Sequence, residues 1–288
     1  MHILFKSVVY FWVITSHTFL MASQLDQTNI DTGLPILIMG YKEGSKPPYI
    51  GAKNDNSGAY QELFSKAANK IGYQLKIIRL PKKRIYHQLK EGEIDFYPSS
   101  GFSEKRASYL YWFPNGFVSK QALLSNITDT EITDFTQAEG ILLSPLGSSV
   151  NKYAHYNYQI SVQKMGVLPI DKAVLALKLD RGNFYIYDID ILDYYLKRQG
   201  LQHFEEISLR VHPNAVQKEF SSLHAAFSIY SKHFKSIPNP EYKASKNSGF
   251  HNQKLIPSDE SIAHAFAEAL KELRLSGETG LIYKKYFK

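Results

Sequence analysis

The chain reads as α/β, folded into two lobes, each a mainly parallel sheet flanked by helices, joined by two crossover strands. Three observations predict this. Short apolar runs of strand length alternate with amphipathic stretches of helix length, the order expected of parallel sheets with helices on their faces. The alternation breaks at Trp112-Phe-Pro-Asn-Gly116 and then restarts, which implies a second lobe. A late apolar run at 225–229 leads back to the first lobe, so the chain crosses between lobes twice.

Taken in order, residues 34–40 are a short apolar strand, and 57–71 an amphipathic helix whose buried stripe is Leu63, Phe64, Ala67, Ala68 and Ile71. Gly72 ends that helix. Residues 74–80 form the next strand, 82–90 a helix stopped by Gly92, and 94–97 a third, buried strand. After the break come a strand at 122–125, a helix near Asp134, a strand at 141–144 and a helix after Ser148. A strand at 159–163, a helix at 169–179 with Pro169 in its first turn, a strand at 184–187 and a helix at 191–199 complete the second lobe. Residues 232–257, rich in Lys, Asn, Ser and Pro and without periodicity, read as a surface loop. Ser258 is expected to cap a long helix with Ile262, Phe266, Leu270 and Leu273 inward.

Composition narrows the class of protein. The 288 residues are 44% hydrophobic, enough for one or two well-filled cores and not a disordered chain. Residues 1–23 have the outline of a secretory signal, with His2 and Lys6 before an apolar run at 8–14 and small Ala22 and Ser23 before Gln24 and Asp26. Ser16 and His17 interrupt that run, which falls short of the ~20 apolar residues of a spanning helix. The expected division is then a signal at 1–23, the first lobe at 24–117 and 219–288, and the second lobe at 118–218. The absence of cysteine removes disulfides, thiol chemistry and cysteine metal sites. The formal net charge of +7 is spread from end to end, which argues against nucleic acid and for a surface that biases the approach of anions. No HExxH, G-x-S-x-G, G-x-G-x-x-G or P-loop pattern stands in a fitting context, so no catalytic group, metal or cofactor is expected.

The strongest functional signal lies in 80–106, which reads as helix, tight turn, buried strand and then a polar loop. Ser99, Ser100 and Ser103 leave the carboxyl end of the strand beside Arg106, whose planar fork suits a carboxylate. Ligand sites of open α/β sheets lie at such strand ends. Gly92, Asp95, Ser103 and Arg106, at their spacings, resemble the G-x-x-D … T-x-x-R signature of family 3 bacterial solute-binding proteins, periplasmic proteins that feed amino-acid-type ABC importers. Pro47-Pro48-Tyr49, Gly147-Ser148-Ser149, Asp188 and the closing segment 270–287 fall in the family's order, so the resemblance covers roughly residues 34–287. It implies the type 2 periplasmic-binding fold, a monomer without cofactor that closes by a hinge on a small polar, carboxylate-bearing ligand. A permease or a sensor in the inner membrane would recognise the closed form. Without a cysteine for lipid attachment, the resemblance implies a freely diffusing periplasmic protein.

The resemblance also assigns roles. Arg106 would grip the ligand carboxylate in bidentate fashion, and Ser103 stands at the family's threonine, whose hydroxyl donates to the same group. Gly101 replaces a residue that is often another hydroxyl, a departure from the usual carboxylate geometry. Arg84, in Leu80-Pro-Lys-Lys-Arg-Ile, resembles an element of a family branch in which the arginine begins a helix facing the cleft; a solvated basic face is the plainer alternative. Tyr49 would pack on the ligand or close the cleft mouth; with 20 tyrosines in the chain, an ordinary packing role is the alternative. Ser148 and Ser149 follow Gly147 at a helix start, where free N–H groups favour an anion or the serine merely caps. Asp188 stands where the family keeps the carboxylate for a ligand ammonium, with Asp190 as a competitor, so Arg106 and Asp188 would hold opposite poles of a zwitterion. Two other readings use the same scaffold: a lyase resembling cyclohexadienyl dehydratase, for which Glu62 is a candidate acid or base, and a sensory protein without a transport role.

Overall fold

The computed structural model describes residues 33–146, 148, 153, 155 and 157–288. The expected signal at 1–23 and most of the helix expected after Ser148 lie outside these residues.

The first lobe begins with β1 (Ile36–Lys42), α1 (Ala59–Lys70), β2 (Gln74–Leu80), α2 (Lys82–Glu91) and β3 (Phe96–Tyr97). β1 pairs in parallel with β2, from Ile36 opposite Gln74 to Lys42 opposite Leu80, and with β3 through Met39 and Phe96. Leu37, Met39 and Tyr41 are fully buried, and α1 lays Leu63, Phe64, Ala67 and Ala68 into the same core. Gly92 ends α2 at φ 77°. A Cβ there would lie 2.4 Å from the Tyr230 carbonyl oxygen, so only glycine lets the two backbones meet.

β3 is shorter than the expected strand, and Asp95 just before it bonds its neighbours with its backbone, N–H to Ile38 O at 3.0 Å and carbonyl from Ser228 N–H at 2.8 Å, and with its side chain as well. Its carboxylate accepts from the Ile38 amide at 2.6 Å and from the Ser231 hydroxyl, at 4% exposure. The aspartate of the signature thus fastens the sheet.

The break expected at 112–116 is instead the middle of β4 (Leu110–Ser119), which pairs antiparallel with β10 (Ser221–Ser228). β4 is an edge strand, in the order β2-β1-β3-β10-β4, where a proline such as Pro114 can stand without losing a ladder bond. Asn115 absorbs the irregularity: its amide donates to the Pro98 carbonyl at 2.8 Å and its oxygen accepts from the Phe117 N–H at 3.0 Å.

The second lobe holds β5 (Gln121–Asn126), β6 (Gly140–Pro145), β7 (Ile160–Met165), α3 (Ile170–Lys178), β8 (Phe184–Asp188), α4 (Ile189–Gln199) and β9 (Leu209–His212). Its sheet runs β7-β6-β8-β5-β9, with β6 parallel to β7 and β8 and β5 antiparallel to β8 and β9. Pro169 precedes α3 as its cap, and the helix expected near Asp134 is a single 3-10 turn, Phe135–Gln137, closed by a capping box.

The expected loop at 232–257 contains β11 (Ser236–Pro238) and β12 (Leu255–Pro257), paired antiparallel. Gln253 pins this insertion to β4, donating to the Trp112 carbonyl and accepting from its N–H, each at 2.8 Å. Strands of three residues leave too little alternation to read. α5 (Ile262–Leu275) starts after Ser261, not Ser258, and α6 (Glu278–Phe287) ends the chain. The Ser261 hydroxyl holds the preceding segment, donating to His233 O at 3.0 Å and accepting from Lys235 N at 3.2 Å. No helix among the described residues is long and apolar enough to cross a membrane.

Candidate ligand cleft

The candidate cleft lies where β1 and β3 of the first lobe and β8 of the second reach their carboxyl ends, which the Lys46–Asp188 contact brings together. After β1 the chain makes a closed loop, with Lys46 N–H bonded to Ile50 O at 2.8 Å and Ile50 N–H to Lys46 O at 2.9 Å. The Pro47–Pro48 peptide inside it is cis. The loop then caps α1, because the Ala59 and Tyr60 amides donate to the Pro48 and Tyr49 carbonyls at 3.0 and 3.2 Å. Gly58, at φ 128°, permits this approach: a Cβ would stand 2.5 Å from the Tyr49 oxygen.

Tyr49 is not at the cleft mouth. It is fully buried, stacked on Tyr60 at 4.6 Å between centroids and edge-on to Phe117 and Phe287, so its ring belongs to the core. Its hydroxyl crosses between lobes and donates to Asp190, in the first turn of α4, which also accepts from Ser119. Burial, with Asp188 nearby, raises the Asp190 carboxyl above its ordinary range, against the two hydroxyls that donate to it.

Asp188, the last residue of β8, meets Lys46 at 2.5 Å across the lobes, and the two side chains are only 14% and 19% exposed. The Lys46 amine also lies 5.5 Å from the ring centroids of both Tyr49 and Tyr187. Burial alone would lower its pKa, but Asp188 overrides that and holds it well above the usual lysine range. The expected free partner for a ligand ammonium is therefore already paired within the chain.

Arg106 ends a 3-10 turn, Glu104–Arg106, and lies over the Tyr86 ring at 4.3 Å. One guanidinium nitrogen reaches the Ser100 hydroxyl at 3.5 Å and another the Gly101 carbonyl at 3.3 Å. Ser100, 4% exposed, also bonds the Tyr86 hydroxyl at 3.0 Å. The fork is thus oriented by Ser100, Gly101 and Tyr86, and among the described residues no carboxylate stands within ion-pair distance of it. Ser103 is half-buried and accepts the Arg106 and Ala107 amides on its carbonyl at 2.9 and 3.1 Å. Ser99, also half-buried, faces the Tyr60 phenol, which burial pushes up to about 12 against Lys46 and Ser99.

Two lysines that the sequence reading did not single out join this group. Lys42, at the carboxyl end of β1, is lowered to about 7 by burial and then by Lys46 and Lys82. Lys82, the first residue of α2, is lowered to about 8 by burial and then by Arg106 and Lys46. Their only signal was position: a cation closing an apolar strand, and one following Leu80-Pro81 where a helix opens toward the same edge.

Other expected residues stand elsewhere. Arg84 is exposed on α2, whose buried residues are Ile85 and Leu89, while Lys82 and Tyr86 are half-buried. Ser148 donates its amide to the Pro145 carbonyl at 3.1 Å, while Gly147 and Ser149 lie outside the described residues. Glu62 holds α6, bonded to Lys285 at 2.6 Å and the Tyr286 hydroxyl at 2.9 Å. Two surface concavities, one beside Phe102, Ser108 and Leu255 and one beside Tyr111, Asn239 and His251, border the β11–β12 insertion and not the charged cleft. Among the described residues no group of three or more His, Cys, Asp or Glu could hold a metal.

Two lobes with mixed sheets, crossed by β4 and β10 and meeting over charged strand ends, define a type 2 periplasmic-binding fold. The chain belongs to the bacterial extracellular solute-binding proteins, family 3, whose model matches residues 37–288. No curated protein matches it in sequence. Among solved structures, an ancestral arginine-binding protein bound to arginine is 17% identical, with TM-score 0.62 over 88% of this chain and 98% of that one. An ancestral amino-acid-binding protein, a precursor of cyclohexadienyl dehydratase, is 14% identical, with TM-score 0.61 over 88% and 96%. A histidine kinase sensor domain similar to periplasmic binding proteins is 16% identical, with TM-score 0.60 over 87% and 95%. At these identities the likeness is one of fold.

Proposed function

We propose that the protein is a periplasmic solute-binding protein that captures a small carboxylate-bearing ligand by closure of its two lobes and presents it to an ABC permease of the inner membrane. The observation that carries this reading is Arg106. Its guanidinium is held over Tyr86 and by Ser100 and Gly101, at the carboxyl end of β3, with no protein carboxylate to neutralise it among the described residues. Lys42 and Lys82 add positive charge to the same edge. A partly buried cation cluster is relieved by an anion, and a fork geometry favours a carboxylate.

The engagement of the candidate acidic groups supports binding without chemistry. Asp188 is engaged by Lys46, Asp190 by Tyr49 and Ser119, and Glu62 by Lys285 and Tyr286. A lyase would require one of them to reach the ligand as an acid or base.

Arg106→Ala is the test. Calorimetric titration should lose carboxylate binding by roughly 100-fold or more, the scale of a buried charge-assisted contact. Circular dichroism should show the fold retained. Unchanged affinity in this variant would contradict the proposal.

A further inference from the structure

The ammonium position of the cleft is filled by the chain itself. Lys46, from the loop after β1, sits 2.5 Å from Asp188 and between the Tyr49 and Tyr187 rings, each 5.5 Å away. One carboxylate and two aromatic faces are what a ligand ammonium would require. We propose that Lys46 is a built-in counter-ion for Asp188 and that the cleft therefore selects small carboxylates that carry no amino group.

The proposal rests on the reading of Arg106 as the carboxylate clamp and adds the ligand class to it. A ligand ammonium has two ways in, and both are unfavourable. It can displace Lys46 from Asp188, which strands a partly buried lysine without its counter-ion. Or it can enter as a further cation beside Lys42, Lys46, Lys82 and Arg106, which oppose one another's charge on the first-lobe side, with Asp188 and Asp190 of the second lobe as the acidic groups. Asp190 offers no vacancy, since Tyr49 and Ser119 donate to its two oxygens. A ligand with only a carboxylate meets Arg106 and adds no positive charge.

Matched pairs that differ only in the α-ammonium separate the possibilities: glutarate and L-glutamate, propionate and L-alanine, 3-phenylpropionate and L-phenylalanine. Calorimetric affinities would be measured for the wild-type protein, Lys46→Met and Arg106→Ala. In the wild type the better-bound pair should favour the carboxylate over its amino acid by about tenfold or more. Lys46→Met, which frees Asp188, should shrink or reverse that ratio. If Lys46→Met does not fold, the wild-type ratio alone decides. Preference of the wild type for the amino acid, with binding lost in Arg106→Ala, would overturn the counter-ion role and leave the clamp standing. Failure of every pair to bind both the wild type and Lys46→Met would overturn the clamp and the counter-ion role together.

Discussion

Lys42 and Tyr49 show how single side chains set the character of the cleft. Lys42, lowered to about 7 by burial and by Lys46 and Lys82, with Arg79 also opposing its charge and Asp188 favouring it, gains a proton below neutrality. A bound anion favours that charged form, so carboxylate affinity should be higher at pH 6 than at pH 8.5. Lys42→Met should remove the part of this dependence centred near 7, leaving the part near 8 that belongs to Lys82. Titrations across that range check it, and a flat wild-type profile would contradict it. Tyr49→Phe keeps the ring packing and removes one of the two hydroxyls on buried Asp190, at a cost of about 1–3 kcal/mol in urea denaturation. At this scale the place of Arg106, in the loop after β3 beside Ser100, was legible because that loop lies within a few residues of its strand. The Lys46–Asp188 pair was not, because 142 residues separate its members and no local pattern joins them.

Elements were legible where an apolar face repeats. α1 shows its stripe and β2 its run, and Gly92 stops α2 at positive φ as its position predicts. Elements held by side-chain bonds were misread. β4 runs through Pro114 and Gly116 because it is an edge strand braced by Asn115, and β11 and β12 are held on β4 by Gln253. Ser261 replaces Ser258 at the start of α5 because its hydroxyl ties down the His233–Lys235 segment. The junction of the Lys46 loop with α1 depends on Gly58. Gly58→Ala places a Cβ against the Tyr49 carbonyl at a positive φ that alanine rarely adopts, and should cost about 2 kcal/mol or more. A lower urea midpoint at unchanged slope would show it.

In the whole molecule, buried side chains join the two lobes. Ile191 of α4, 1% exposed, packs into the first-lobe core, next to the Tyr49–Asp190 and Lys46–Asp188 bonds. β4 and β10 lie side by side at Ser119 and Ser221, where the chain passes between lobes. Ile191→Asp should favour separated lobes, read as a larger radius of gyration by solution scattering, with each lobe's secondary structure intact. The two-lobe plan was legible from the restart of the strand–helix alternation. Lobe contacts were not, since they join residues far apart in sequence. The central claim is that the cleft is a carboxylate site centred on Arg106. Thermal unfolding of residues 24–288 against a panel of organic acids, amino acids, polyamines and small sugars tests it most directly. A carboxylate at about 100 times its Kd should add ~2.7 kcal/mol, several degrees in Tm, and the shift should vanish in Arg106→Ala. A shift confined to ligands without a carboxylate, or one that survives Arg106→Ala, would contradict the account.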